Sequence, residues 1–386
     1  MRFPAHFHRP LSLLFAVAAF LAGASQGLLG TCGPFTDTAA DAFCPFVLEI
    51  FSLGITTGTT ATTYDPASNV TRLQMAAFLS RTVDSTLKRG GRRAALNQFW
   101  SLQTSTFFDV TTVGSLPNLP ASDGSDVWVP NNGDNTVSRV RASDGRLLET
   151  WTGAGSALSA LCALGSVFVS GNGAPGRLYR IDPRQSAGAV TTVASNLGGF
   201  PYQIAFDGGR IWTANATGPA SVSIVTPGTW TVTTVTTGFT SPFGVLFDGA
   251  SVWVTNAGPG TLLKVDSSGA VVQTVTVGTT PTFPIFDGAN IWVPNDGSNS
   301  ITVVRSSSGA VLTTLTGNGL NNPYQAAFDG GRVLVTNDGG GGSVSLWKAD
   351  DLTAIGNTPT AESTFGACSD GANFWITRGS NHLARF

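Results

Sequence analysis

One decapeptide limits what this chain can fold into: Phe247-Asp248-Gly249-Ala250-Ser251-Val252-Trp253-Val254-Thr255-Asn256. It is an apolar run, an Asp-Gly step, a second apolar run centred on Trp, and an Asn. Relatives of it recur along most of the sequence. Asp-Gly steps fall at Asp123, Asp207, Asp248, Asp287, Asp329 and Asp370, and Leu164-Gly165 fills the one gap, so that successive steps lie 39 to 43 residues apart. A period near forty residues with four short apolar runs per unit specifies a β-propeller. Seven steps predict seven blades.

Strand A of each unit is a run such as Tyr202-Gln203-Ile204-Ala205-Phe206, usually entered through a proline (Pro201, Pro242, Pro323). The Asp-Gly turn supplies the positive backbone angle that a short hairpin needs. Strand B, as in Val252-Trp253-Val254, is apolar nearly throughout and fits a strand covered on both faces by neighbouring blades. Strand C is a run like Ile301-Thr302-Val303-Val304. Strand D is Thr-rich and alternating, as in Thr231-Val232-Thr233-Thr234-Val235, which suits an outer edge with one face in water. After Asp370 only strands B and C remain, whereas the stretch from Phe107 to Pro117 reads as a strand D and connector with no blade before it. The expected fold is therefore all-β: a seven-bladed β-propeller of four-stranded blades over residues 106–386, its last blade closed by an N-terminal strand. The 47 glycines agree with an all-β chain rich in turns.

The repeat resembles the YVTN/NHL-like group of secreted propellers, in which Val-x-Asn ends strand B. The matches are Val129-Pro130-Asn131, Val254-Thr255-Asn256, Val293-Pro294-Asn295 and Val335-Thr336-Asn337, with Thr213-Ala214-Asn215 close. The resemblance implies a fold and leaves activity open, since propellers host many functions.

Ahead of the repeats, Arg2 and Arg9 flank the start of an apolar run over residues 11–21, and Ala22-Gly23-Ala24 follows. Basic residues, a short apolar run and small residues at a cleavage site predict a secretory signal peptide over residues 1–24. The run falls short of the ~20 residues of a membrane span. An exported chain at the cell surface or in the periplasm, without a transmembrane helix once mature, is expected. Export permits disulfides, and Cys32 and Cys44 stand close enough in sequence to pair; the cysteine spacings do not resemble a zinc site.

Residues 33–88 have helical character. Phe43, Phe46, Val47, Ile50 and Phe51 form one apolar face, and Met75, Phe78, Leu79 and Val83 a second. Thr71 stands at an N-cap position with Gln74 placed to complete a capping box. Phe35-x-Asp37, Leu53-Gly54-Ile55-x-x-Gly58, Tyr64-x-Pro66 and Thr71-Arg72 occur in the order of the S-layer homology (SLH) module, which this segment resembles. The resemblance implies a small α-helical adaptor that binds cell-envelope polymers, with Thr71 and Arg72 as polymer contacts. The family pattern continues Ala-Glu where this chain has Leu73-Gln74, and one copy is present where wall anchors commonly carry three. A basic run from Lys88 to Arg93 opens a linker over residues 89–105.

In a propeller the B–C and D–A loops share one face around the central channel. Here the B–C loops offer Asn131, Asp134, Asn215, Asn256, Asn295, Asp296, Asn337 and Asp338, and the seventh departs with Arg378-Gly379-Ser380-Asn381-His382. These residues, Arg378 included, are the candidate contacts for a sugar or peptide. Against that reading, Asn and Gly are what tight turns require. One carboxylate per loop on separate blades makes no cation site, so neither metal nor cofactor is expected.

Catalysis finds little support. His6 and His8 leave with the signal peptide, His382 is then the only histidine, and no nucleophile-elbow motif is present. The antibiotic-linearising lyase propellers have a similar repeat, which implies His and Glu around a metal; Glu149 and Glu362 are the only glutamates in the propeller, so that chemistry does not carry over. Cys162 and Cys368, two positions before the turn, read as small core residues of strand A. With 11% charged residues and a net charge of -2, no basic face for nucleic acid is expected. The function expected is that of an exported, non-enzymatic, envelope-associated binding protein whose loop face meets a protein or glycan partner. The alternatives are a propeller enzyme of lyase or hydrolase type and a self-associating structural envelope protein.

Overall fold

The Asp-Gly steps and apolar runs of the repeat are realised as seven four-stranded antiparallel sheets among the described residues of the computed structural model. The described residues are 35–38, 44, 47, 50, 51, 56–60, 62–72, 74–79, 82, 110–379 and 381–386. The signal peptide, the Cys32–Cys44 pairing and the linker at 89–105 lie outside them. The chain divides into two units, residues 1–89 and 90–386.

Blade 4 shows the plan of the second unit: strand A is Pro242–Phe247, B Val252–Asn256, C Thr261–Val265 and D Val271–Thr276, each hydrogen-bonded to the next. Strand B is buried along its whole length, while strand D alternates towards solvent. Blade 7 takes Thr364–Ser369, Phe374–Arg378 and His382–Arg385 from the end of the chain and its fourth strand, Val110–Thr112, from the beginning. Val110 pairs with Ala384 and Thr112 with His382. The closure expected from sequence is present, and it removes an open sheet edge that would otherwise template aggregation.

The turn between strands A and B explains the repeated residues. In blade 4 the amide of Asp248 donates to the carbonyl of Ser251, and Gly249 has φ +91°, a conformation only glycine adopts freely. Asp248 Oδ1 accepts the amides of Ala250 and Ser251, while Oδ2 accepts the indole Nε1 of Trp253 at 2.8 Å. The same indole–carboxylate bond recurs at Trp128–Asp123, Trp212–Asp207, Trp292–Asp287 and Trp375–Asp370. Each of these Trp rings is fully buried between blades. The carboxylate thus satisfies the one polar atom of a large core side chain, whose burial otherwise carries an unpaired N–H.

Two blades vary this unit coherently. In blade 6 Leu334 takes the Trp position, opposite Ala327, and Asp329 Oδ2 pairs with Arg332 Nε at 2.8 Å, both side chains almost wholly buried. In blade 2 Phe168 takes the Trp position opposite Leu161, and strand register places Ala163 in the carboxylate slot, with Leu164-Gly165 forming the turn between Ala163 and Ser166. This corrects the alignment from sequence by one residue: Cys162, paired with Val167, sits one step nearer the turn than Cys368, paired with Trp375. Carboxylate and indole are lost together there, so no polar group is left unpaired. Both thiols pack against inter-blade clusters. Burial pushes the Cys162 thiol up to about 12 and the Cys368 thiol well above the ordinary value, as core residues require.

In the N-terminal unit the motif residues have structural roles. Phe35 is fully buried and its ring meets those of Phe51 and Tyr64 at 5.2 and 5.7 Å. The Asp37 carboxylate accepts the amides of Tyr64 and Asp65, which hold its pKa below the ordinary value. A Cβ on Gly58 would stand 2.4 Å from the Phe35 ring, so the close approach there requires glycine. Residues 72 and 74–79 are helical. The apolar face expected on this segment is not packed away: Met75 and Leu79 are exposed.

Candidate functional site

The asparagines that end strand B are turned into the fold. Asn131, Asn215, Asn256, Asn295 and Asn337 are all buried. Asn295 Nδ2 donates to Ser300 Oγ (3.2 Å) and Thr302 Oγ1 (3.0 Å) on strand C, and its Oδ1 accepts the amide of Gly278 in the preceding D–A connector. Asn131, Asn215 and Asn337 make the same pair of bonds to strand C hydroxyls. Asn256 Oδ1 instead accepts the amides of Thr240 and Ser241. Through Oδ1, Asn256, Asn295 and Asn337 staple the end of strand B to the preceding D–A connector, whereas Asn215 Oδ1 accepts the Thr213 hydroxyl. The connector must come close: a Cβ on Gly278 would lie 2.6 Å from Asn295 Cγ.

The charged candidates separate into two groups. Asp134 is exposed, but its carboxylate accepts the amide of Ser115 and the hydroxyl of Thr136, so it ties down its own loop. Arg378 is buried, donates to the carbonyl of Thr360 and stands 3.8 Å from the Glu362 carboxylate. His382 Nδ1 is hydrogen-bonded to the same carboxylate at 3.0 Å. This cluster joins the connector before blade 7 to that blade. Asp296 and Asp338 lie together. Asn322 Nδ2 donates to Asp296 Oδ1 at 2.9 Å, and the Asn322 carbonyl accepts the amide of Asp338.

Beneath this face lies a feature not singled out from sequence. In blades 3, 4, 6 and 7 the A–B pairing breaks in a β-bulge just after Pro201, Pro242, Pro323 and Thr364, which pair with the last residues of strand B. The first bulged residue is Tyr202, Phe243, Tyr324 or Phe365. Bulges re-aim side chains, and these rings converge. Tyr202 and Phe243 stack at 4.6 Å, and both lie within 6.3 Å of Phe283 from blade 5. Phe283 meets Tyr324 at 4.9 Å, and Tyr324 meets Phe365 at 6.0 Å. Tyr202 touching rings from two successive blades places the cluster across the innermost strands, one residue below the level of the loop asparagines. Blades 1 and 2 carry Asn118 and Leu158 at the equivalent point. Burial raises the Tyr324 hydroxyl pKa, and the charges of Tyr202, Asp338 and Asp296 raise it further. The signal in the sequence was the aromatic that follows the strand A proline in Pro201-Tyr202, Pro242-Phe243 and Pro323-Tyr324.

In the N-terminal unit Thr71 and Arg72 are exposed. The Thr71 hydroxyl is engaged in the expected cap: its Oγ1 accepts the amide of Gln74 at 3.2 Å, and Gln74 Oε1 accepts the Thr71 amide at 2.8 Å. Beside them a groove of about 330 Å³ is lined by Thr57, Tyr64, Asn69, Gln74 and Phe78 among others.

Residues 34–76 match the S-layer homology domain. Similar solved structures include a streptogramin B lyase and a catalytically inactive virginiamycin B lyase from Staphylococcus aureus with quinupristin. Each is 16% identical at a TM-score of 0.60, the match covering 72% of this chain and 98% of theirs. The WD40 propeller domain of Doa1 matches at 14% identity and a TM-score of 0.60, over 72% of this chain and 95% of that one. At such identities the likeness is one of fold. No curated protein matches the chain. Among the described residues no helix is long and apolar enough to cross a membrane. The chain is a propeller repeat protein, with seven blades, that carries an S-layer homology domain at residues 34–76.

Proposed function

We propose that this protein is a non-enzymatic binding protein of the cell envelope. Its S-layer homology domain holds it to an envelope polymer, and the propeller's loop face takes a protein or glycan partner. The observation that carries the reading is the floor of converging aromatic rings under that face. Aromatic faces offer large, rigid contact area to sugars and peptides alike. Co-sedimentation of the full chain with purified envelope polymer tests the anchor: wild type should pellet and Arg72→Ala should stay in the supernatant. A glycan and peptide binding screen of the full chain tests the face, with any hit expected to weaken in Phe365→Ala. Equal pelleting of both proteins sinks the role given to Arg72, and a screen without hits sinks the binding face.

A second reading, a propeller enzyme acting on an extracellular substrate, draws on the Glu362–His382 hydrogen bond at the loop face and on the lyase likeness in fold. It predicts that the full chain consumes quinupristin and that His382→Ala does not. Quinupristin left intact by the wild type removes that substrate from consideration.

A further inference from the structure

We infer that the aromatic floor beneath the propeller's loop face seats a neutral sugar ring, hydrogen-bonded to the hydroxyls of Tyr202 and Tyr324. The inference rests on the binding face proposed above and chooses the glycan over the protein partner. Three observations lead to it.

The first is the state of the two hydroxyls. Among the described residues no hydrogen bond reaches the phenol of Tyr202 or of Tyr324, and neither oxygen is one of the unpaired polar atoms sealed inside the protein. Both side chains are partly buried, a setting in which a tyrosine hydroxyl ordinarily has a partner. Tyr179, in the core of blade 2, has one: its hydroxyl donates to the Gly155 carbonyl at 3.2 Å.

The second is what the fold does with the neighbouring polar groups. Gln203 Oε1 accepts the Val245 amide at 3.0 Å, and Gln325 Oε1 accepts the Ala367 amide at 2.7 Å, each across a blade boundary. The Ser170 hydroxyl donates to the Tyr202 carbonyl, and the Thr336 hydroxyl to that of Phe365. Inner-strand polar groups beside the rings are thus paired within the protein, while the two phenols stay open to what enters the channel.

The third is the arrangement of the rings. Tyr202 and Tyr324 flank Phe283 at 6.2 and 4.9 Å, with Phe243 stacked on Tyr202 at 4.6 Å and Phe365 at 6.0 Å from Tyr324. This is an uncharged apolar surface with a hydroxyl on each side of its central ring, and each hydroxyl both donates and accepts. A pyranose has the matching chemistry: a C–H face to lie on the rings and hydroxyls to pair with the phenols. An anion would meet the negative faces of the rings. A peptide reaches a floor recessed below the loops through its side chains, and the apolar ones that suit the rings leave both phenols unpaired. Burial raises the pKa of both phenols, in keeping with neutral hydroxyls.

The test is an array of neutral oligosaccharides of glucose, galactose, mannose and N-acetylglucosamine, the strongest hit being titrated calorimetrically into the full chain. The hit should bind with a Kd below about 1 mM. Tyr324→Phe and Tyr202→Phe should each weaken it about three- to tenfold. Neither hydroxyl supports the fold, so both variants should keep the wild-type urea midpoint. No bound sugar, wild-type affinity in both variants, or a midpoint that falls in both overturns the inference. The outcomes also separate it from the reading beneath it. Should a peptide bind and weaken in Phe365→Ala but not in Tyr324→Phe, with no sugar bound, the binding face stands and the sugar falls.

Discussion

On the turn face of the propeller Asp248 accepts two backbone amides and the Trp253 indole, whereas on the loop face no hydrogen bond or ion pair reaches the carboxylate of Asp338 among the described residues. The residue type is the same and both positions follow a strand end. The difference lies in what the fold asks of them. A turn-face aspartate closes a hairpin and satisfies a buried indole in the same motif, so its charge is consumed within its own blade. Asp338 is held through its backbone amide on the Asn322 carbonyl, whereas the carboxylates of Asp134 and Asp296 are themselves engaged within the loops. Repetition marks the first kind, which recurs with Trp five residues on in five blades. Departure from the repeat marks the second.

Breaking this contrast should begin with the most buried carboxylate. Asp329→Ala leaves the Arg332 guanidinium buried without its partner and should cost about 3–5 kcal/mol, read as a fall in the urea midpoint. Next in size, Asp248→Ala and Trp253→Phe should each destabilise by about 1–3 kcal/mol. Made together they reproduce the pairing of Ala163 with Phe168 in blade 2, and a double-mutant cycle should return a coupling of about 0.5–3 kcal/mol. Strict additivity would mean that the indole–carboxylate bond contributes nothing.

A smaller effect should appear in acid. For Asp207, burial raises the pKa, but the Trp212 indole, the amides of Gly209 and Arg210 and the Arg210 charge outweigh it and hold the value low. Asp123 follows the same balance through Trp128, Asp126, Ser125 and Arg139. Carboxylates with depressed folded values stabilise the protein fully above their unfolded value of about 3.9, and that contribution is lost as pH falls through the folded one. The urea midpoint should therefore decline below about pH 4, and less steeply in Asp207→Asn. The smallest effect is expected on the other face: Asp338→Asn should leave stability within about 0.5 kcal/mol of wild type. A larger loss would give Asp338 a structural role and erase the contrast between the faces.

The decapeptide around Asp248 determined much of this protein by itself. Blade number, strand order, the glycine in each turn and the burial of strand B follow from patterns that repeat within forty residues, because a hairpin is a local structure whose turn chemistry and periodicity are written side by side. The closing strand was legible as well, since a strand D without a blade and a blade without a strand D complete each other. The Phe35, Asp37 and Gly58 positions were legible as a motif, although their roles as core, turn cap and close-approach residue needed coordinates.

The burial of the loop asparagines was not legible, because a sequence cannot distinguish a carboxamide facing solvent from one turned back onto the strand C hydroxyls. Only tertiary structure decided the composition of the channel mouth. Tyr202, Phe243, Phe283, Tyr324 and Phe365 are about forty residues apart along the chain, and each looks like an ordinary strand residue in its own blade. They meet because ring closure brings seven inner strands around one axis, and because bulges re-aim Tyr202, Phe243, Tyr324 and Phe365 in four of the blades. Convergence about an axis is a property of the closed ring, so no single repeat contains it.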